Sequence, residues 1–230
     1  MSTRLKLFIG VPLAILVALV GGSWIYIHVI EDPPAKLTVD STSASNHSST
    51  TGSATDDGTN DGTWKATSDS VVGYRVKETL FASSGEAVGR TSRITGAIAI
   101  NGTSVLEGSF SVDMTSVSSD RAQRDGQFQN RIMNTSQFPK ATFKLTSPID
   151  LKGTPAIGDT VTTSATGNLT LHGVTKKVTF DVAAKRVSGS IRVNGAIPVH
   201  FSDYDINNPS GGPASVGNDG TLEFTIVFTR

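Results

Sequence analysis

Near the end of the chain, Leu222, Phe224, Ile226 and Phe228 alternate strictly with Glu223, Thr225, Val227 and Thr229. Successive side chains of an extended strand point to opposite faces, so this pattern predicts a strand with one apolar face. Shorter runs of the same kind occur at residues 74–76, 94–100, 110–114, 141–145, 169–171, 178–182 and 191–193. Eight such runs in one region predict an antiparallel barrel or sandwich. Turn-forming pairs lie between them: Asn101 with Gly102, Lys152 with Gly153, Gly158 with Asp159, His172 with Gly173, and Asn194 with Gly195. Connections this short favour an up-and-down meander.

One segment departs from the two-residue period. Arg121, Arg124, Asp125, Phe128 and Ile132 recur at three- and four-residue spacing within residues 120–133, which predicts an amphipathic helix. Laid across a barrel mouth, such a helix either plugs the interior or frames the way into it. A closed sheet of about eight strands has an interior that side chains can fill or that holds one elongated ligand. Many inward candidates are Ala, Val, Thr or Ile, which leaves both options open.

Composition narrows the chemistry. The 20 basic residues balance the 20 acidic ones, so no overall field argues for nucleic acid, and cysteine is absent. Thiolate metal sites, disulfides and cysteine nucleophiles are thereby excluded. No G-x-S-x-G elbow or glycine-rich phosphate loop occurs, and the four histidines are scattered, so neither an enzyme nor a resident cofactor or metal is expected.

Residues 7–30 contain no Asp, Glu, Lys or Arg. As a helix this run would reach roughly 36 Å, enough to cross a bilayer. Arg4 and Lys6 precede it and Glu31 and Asp32 follow, so the positive-inside bias predicts a single-pass anchor in the cell membrane with the remainder extracytoplasmic. A cleaved signal peptide is the competing reading, with Gly21, Gly22 and Ser23 as small residues near a cut. Residues 31–62, rich in Ser, Thr, Gly and Asp, read as a disordered linker, and residues 63–230 as one domain.

Within that domain the motifs become specific. Trp64 and a first strand from Ser70 to Val76 are followed by Gly89, Arg90, Thr91, Ile94 and Gly96. Val112, Asp113, Met114, Ser116 and Val117 precede Arg124 and Asp125, then Phe138, Pro139, Ala141, Thr142 and Phe143. The most specific block is Gly167, Asn168, Leu169, Thr170, Leu171, His172, Gly173, Val174. Phe201, Asp203, Tyr204, Ile206 and Pro209, then Leu222, Glu223 and Phe224, complete the pattern. In these residues the chain resembles the YceI-like family of polyisoprenoid-binding, lipocalin-like barrels, and the resemblance covers essentially all of residues 63–230. Asp69 stands where the family often has a His, which leaves the head group undefined.

The resemblance implies non-catalytic binding of a long isoprenoid lipid, a polyprenyl phosphate or a quinone, in a hydrophobic barrel tunnel. Phe110, Val112, Met114, Phe128, Ile132, Phe143, Leu169, Leu171 and Phe180 are the candidate tunnel lining. Arg124 and His172 are candidates for the head group, each weighed against a structural role: an ion pair on the rim for Arg124, a backbone hydrogen bond in a tight turn for His172. Lys176 and Lys177 could meet an anionic membrane or be a solvated edge. The alternative function is a stalk-displayed β-sandwich that serves adhesion without a ligand. Homodimerisation stays open.

Overall fold

The computed structural model describes residues 33–41, 59–80, 83–211 and 214–230. The span at residues 7–30 and most of the linker lie outside the described residues; among the described residues no helix is long and apolar enough to cross a membrane. The compact unit Lys36–Arg230 contains twelve strands. They are β1 (Gly62–Ala66), β2 (Val71–Leu80), β3 (Ser83–Thr91), β4 (Ile94–Asn101), β5 (Ser104–Asp113) and β6 (Lys140–Leu145). The short β7 (Ile149–Asp150) leads into β8 (Thr160–Leu171), β9 (Val174–Val187), β10 (Ser190–His200), β11 (Ala214–Val216) and β12 (Asp219–Thr229).

Every strand pairing is antiparallel, and β4, β5, β6, β8, β9, β10 and β12 follow one another around the wall as a meander. Closure departs from the plain meander. β1 pairs with β4 along one edge and with the end of β12 along the other, through Lys65 opposite Thr229 and Ala66 opposite Phe228. The result is an eight-strand ring, all-β as expected. The first half of β12 pairs instead with β2, which carries β3 on its outer side.

Local chemistry sets the corners. Asn101 and Gly102 turn β4 into β5, and His172 and Gly173, both at positive φ, make the two-residue turn between β8 and β9. Asn194 and Gly195 form no turn, contrary to expectation; they lie inside β10, and Gly189 serves the β9–β10 corner. The physical reason is a ring. Gly195 faces Phe224 across the β10–β12 ladder, and a Cβ there would stand 2.5 Å from the ring tip. Asn194 points outward, where its amide nitrogen donates to the carbonyls of Phe224 (2.9 Å) and Leu37 (3.1 Å).

That second bond corrects one stretch of the expected disordered linker, residues 31–62: Leu37 and its neighbours are held against the barrel, where Asn194 and Thr225 offer partners that a Ser/Thr-rich composition does not reveal. Thr225 Oγ1 donates to the Thr38 carbonyl at 2.8 Å and Lys185 Nζ to Asp40 at 2.8 Å, so residues 37–40 run along the outer wall of β9, β10 and β12. Lys185 holds the Asp40 carboxyl below its usual pKa. Beside this strap, Glu223 accepts from Arg75 (3.2 Å) and Arg90 (2.7 Å), a cluster on the outward face of β12. Buried ion pairs need such multiple partners to offset desolvation.

The expected helix is present but is not uniform. α1 (Ala122–Gln127) gives way to a π-turn (Phe128–Ile132) whose defining bond runs from Met133 N to the Phe128 carbonyl at 2.8 Å. Phe128 and Ile132, four residues apart, share one face of this segment, and both border the interior. Both sit over the end of the barrel formed by the close of β5, the β8–β9 turn and the start of β12.

Candidate functional site

Alternation along the strands aims one set of side chains into the barrel, and they leave it partly hollow. A cavity of about 680 Å³ occupies the interior, within the usual range for a small-molecule site. The stretch of β8 that borders the cavity, from Thr163 to Leu171, spans roughly 30 Å, which at a barrel tilt near 40° gives a lumen about 23 Å long. The shape suits one extended chain.

Glycines explain why large rings do not fill it. Phe110 lies over Gly96, Phe143 over Gly167, Phe224 over Gly195 and Tyr74 over Gly89, each glycine being where a Cβ would come within 2.6 Å of the ring. With no side chain beneath, the ring folds against the wall instead of projecting into the lumen. The rings touch in series: Phe224 with Phe180 at 6.0 Å, Phe180 with Phe143 at 5.4 Å, Phe143 with Phe110 at 6.5 Å, and Phe110 with Phe228 at 5.8 Å between centroids. This series spans the join between the two apolar clusters of the barrel, one beneath the helix and one at the far end.

All nine residues assigned to the lining from sequence border the cavity. Phe110 and Val112 come from β5 and Met114 from the turn after it; Phe128 and Ile132 come from the π-turn, Phe143 from β6, Leu169 and Leu171 from β8, and Phe180 from β9. The helix therefore frames the chamber and does not fill it. Residues that the sequence reading passed over also border it, notably Tyr74, Glu78 and Arg131. Their signal was present: Tyr74, Val76 and Glu78 continue one alternation, and Arg131 follows Arg124 by two helical turns.

Charge is confined to one end. Glu78, Arg121, Arg124 and Arg131 are the charged residues on the cavity wall, and three of the four belong to the helical segment or its approach. Arg124 donates to Glu78 Oε1 at 3.0 Å and pairs also with Asp120, so it clamps the helix to β2 while its guanidinium faces the mouth. Asp125 accepts from the Ser119 backbone N–H (2.8 Å) and hydroxyl (2.7 Å), fixing the helix start. Arg131 donates to the Pro209 carbonyl at 3.2 Å. Tyr74 stacks on Phe128 at 5.0 Å, and burial pushes its phenol up to about 12.

His172 is elsewhere. Its Nδ1 lies 3.1 Å from the Tyr204 carbonyl and its ring meets Phe138 edge-on at 4.7 Å, so it braces the turn and does not border the cavity. Lys176 and Lys177 are exposed near the same turn. Among the described residues, no group of three or more His, Asp or Glu side chains is placed to hold a metal ion.

Comparison with known proteins supports the architecture. The solved polyisoprenoid binding domain from Saccharophagus degradans, implicated in plant cell wall breakdown, superposes with a TM-score of 0.59 at 19% identity, covering 73% of this chain and 98% of that one. BcnA of Burkholderia cenocepacia superposes with a TM-score of 0.52 at 17% identity, covering 67% of this chain and 95% of that one. At these identities the likeness is one of fold. In sequence, a UPF0312 protein of Vibrio parahaemolyticus is 33% identical over 102 residues, 41% of this chain and 50% of that protein. A UPF0312 protein of Pseudomonas syringae is 33% identical over 120 residues, 49% of this chain and 56% of that protein. The chain thus spans about half the length of these curated relatives. The YceI-like domain itself is matched over residues 64–228, nearly the whole barrel, and the chain belongs to that family.

Proposed function

We propose that this protein binds one long-chain isoprenoid lipid, a polyprenyl phosphate or a quinone, inside the barrel and without catalysis. The observation that carries the reading is the lumen: an elongated apolar cavity of about 680 Å³ whose charged wall residues gather at the helix end. An apolar tail gains roughly 0.8 kcal/mol for each methylene removed from water, while a polar or anionic head at the mouth stays hydrated beside Arg124 and Arg131. The polyisoprenoid-binding activity named for the Saccharophagus degradans domain is consistent with that chemistry. A display module with a solid core would have no use for the glycine-backed rings that keep this interior open.

Residues 7–30 complete the reading as a membrane anchor that holds the barrel at the outer face. Bilayer hydrocarbon is already apolar, so moving a tail from membrane to barrel gains little, and the protein acts as an exchange partner for the lipid and not as a sink. Organic extraction of the purified full chain followed by mass spectrometry is expected to release a prenyl-chain lipid. Leu171→Asp and Phe180→Asp, which place a carboxylate in the lumen, are expected to empty it while circular dichroism still reports the barrel. Recovery of no lipid from the wild type after exposure to prenyl phosphate vesicles would sink the reading.

A further inference from the structure

The end of the barrel away from the helix is sealed. β1 wedges between β4 and β12 and sends Trp64 inward, opposite Ile98. The Trp64 ring is buried, its indole N–H donates to the Asn60 carbonyl at 2.8 Å, and the Arg230 guanidinium covers it at 4.8 Å from the ring centroid. Arg230 is itself held by the carbonyls of Thr59 (2.7 Å) and Asp61 (2.8 Å), so the two ends of the barrel domain bolt the plug from outside. Trp64, Ile100 and Ile191 belong to the far apolar cluster but do not border the cavity. Their partners across the ladder do: Ile98 stands opposite Trp64, Val105 opposite Ile100 and Phe228 opposite Ile191, and Leu151, whose N–H donates to the Thr103 carbonyl at the β4–β5 turn, borders it too.

We infer that Ile98, Val105, Leu151 and Phe228, backed by Trp64, form a floor that sets the longest hydrocarbon tail the barrel accepts. The inference rests on the lipid reading above. Charged wall residues occur only at the helix end, so a lipid with a polar head enters tail first and its terminal unit meets this floor. Each added isoprene unit strengthens binding while there is lumen left to bury it. Beyond that length, further units stay at the mouth and add nothing, so affinity against chain length rises and then breaks.

The test is a graded series of all-trans prenyl monophosphates, geranyl upward, measured against the full chain in detergent by displacement of a fluorescent lipid. The wild type should show the break. Val105→Phe, which raises the floor, should move it shorter by about one isoprene unit and leave the affinity of shorter chains unchanged; Leu151→Ala, which lowers it, should move it longer. Arg131→Ala at the mouth should weaken all lengths by the same factor with the break in place. A break that stays put in both floor variants, or a uniform loss at every length in both, overturns the floor while leaving lipid binding intact. Absence of binding at every length in the wild type overturns the lipid reading and the floor with it.

Discussion

Gly195 and Phe224 show how one residue choice decides whether this barrel is hollow. The pair sits opposite in the β10–β12 ladder, and the missing Cβ is what lets the ring lie on the wall. Gly195→Ala would force the ring tip inward or strain β10, an overpacking cost of about 2 kcal/mol. In a domain of this size that corresponds to a fall in Tm of roughly 6 °C. Calorimetry should register the loss, and Phe224→Leu in the same chain should recover part of it by removing the clash. A Gly195→Ala protein as stable as the wild type would mean the ring has room the geometry does not show. The same pair explains a misreading of the sequence: Asn-Gly is a strong turn signal by itself, and only the ring on a strand 29 residues away gives this glycine its purpose.

At the scale of elements, the helical segment is the part of the wall that can move without breaking the ladder. α1 and the π-turn are joined to the barrel by side chains, through Arg124 to Glu78, Arg131 to the Pro209 carbonyl and the Phe128 ring on Tyr74, while Asp125 pins the helix start to Ser119 in the loop before it. Asp125 does not border the cavity, so Asp125→Ala tests the tether apart from the chamber. Loss of its charged hydrogen bonds should cost about 1.5 kcal/mol locally. Amide exchange in residues 119–133 should quicken while β8 and β9 stay protected, and release of a bound prenyl phosphate should accelerate. Unchanged exchange and release would mean that the segment is held by packing alone. Much of this was legible in the sequence, because alternation and the Phe128–Ile132 spacing depend on neighbours a few residues apart. The π-turn and the strap at residues 37–40 were not: the first depends on i to i+5 bonding that mimics helical spacing, and the second on Asn194 and Thr225, which no local pattern links to Leu37 and Thr38.

For the whole molecule, a hollow interior implies a stability that depends on its contents. An empty lumen forfeits the dispersion contacts a packed core would make, and the hydrogen-bonded ring must carry the fold. A ligand that binds only the folded state raises stability by mass action, about 2.7 kcal/mol at a hundredfold excess over its dissociation constant. For a chain of this length that is a rise in Tm of roughly 8 °C, growing with the logarithm of concentration. Differential scanning calorimetry with added farnesyl phosphate should show it, and inorganic phosphate, which has a head group and no tail, should not. Under the proposed exchange role, in which transfer between bilayer and barrel is nearly balanced, an excess of lipid vesicles free of prenyl chains should draw the ligand out and return Tm to its starting value. A rise that survives the vesicles would mean the barrel holds its lipid far more tightly than tail burial explains, and would shift the weight of recognition from the apolar wall to the arginines at the mouth.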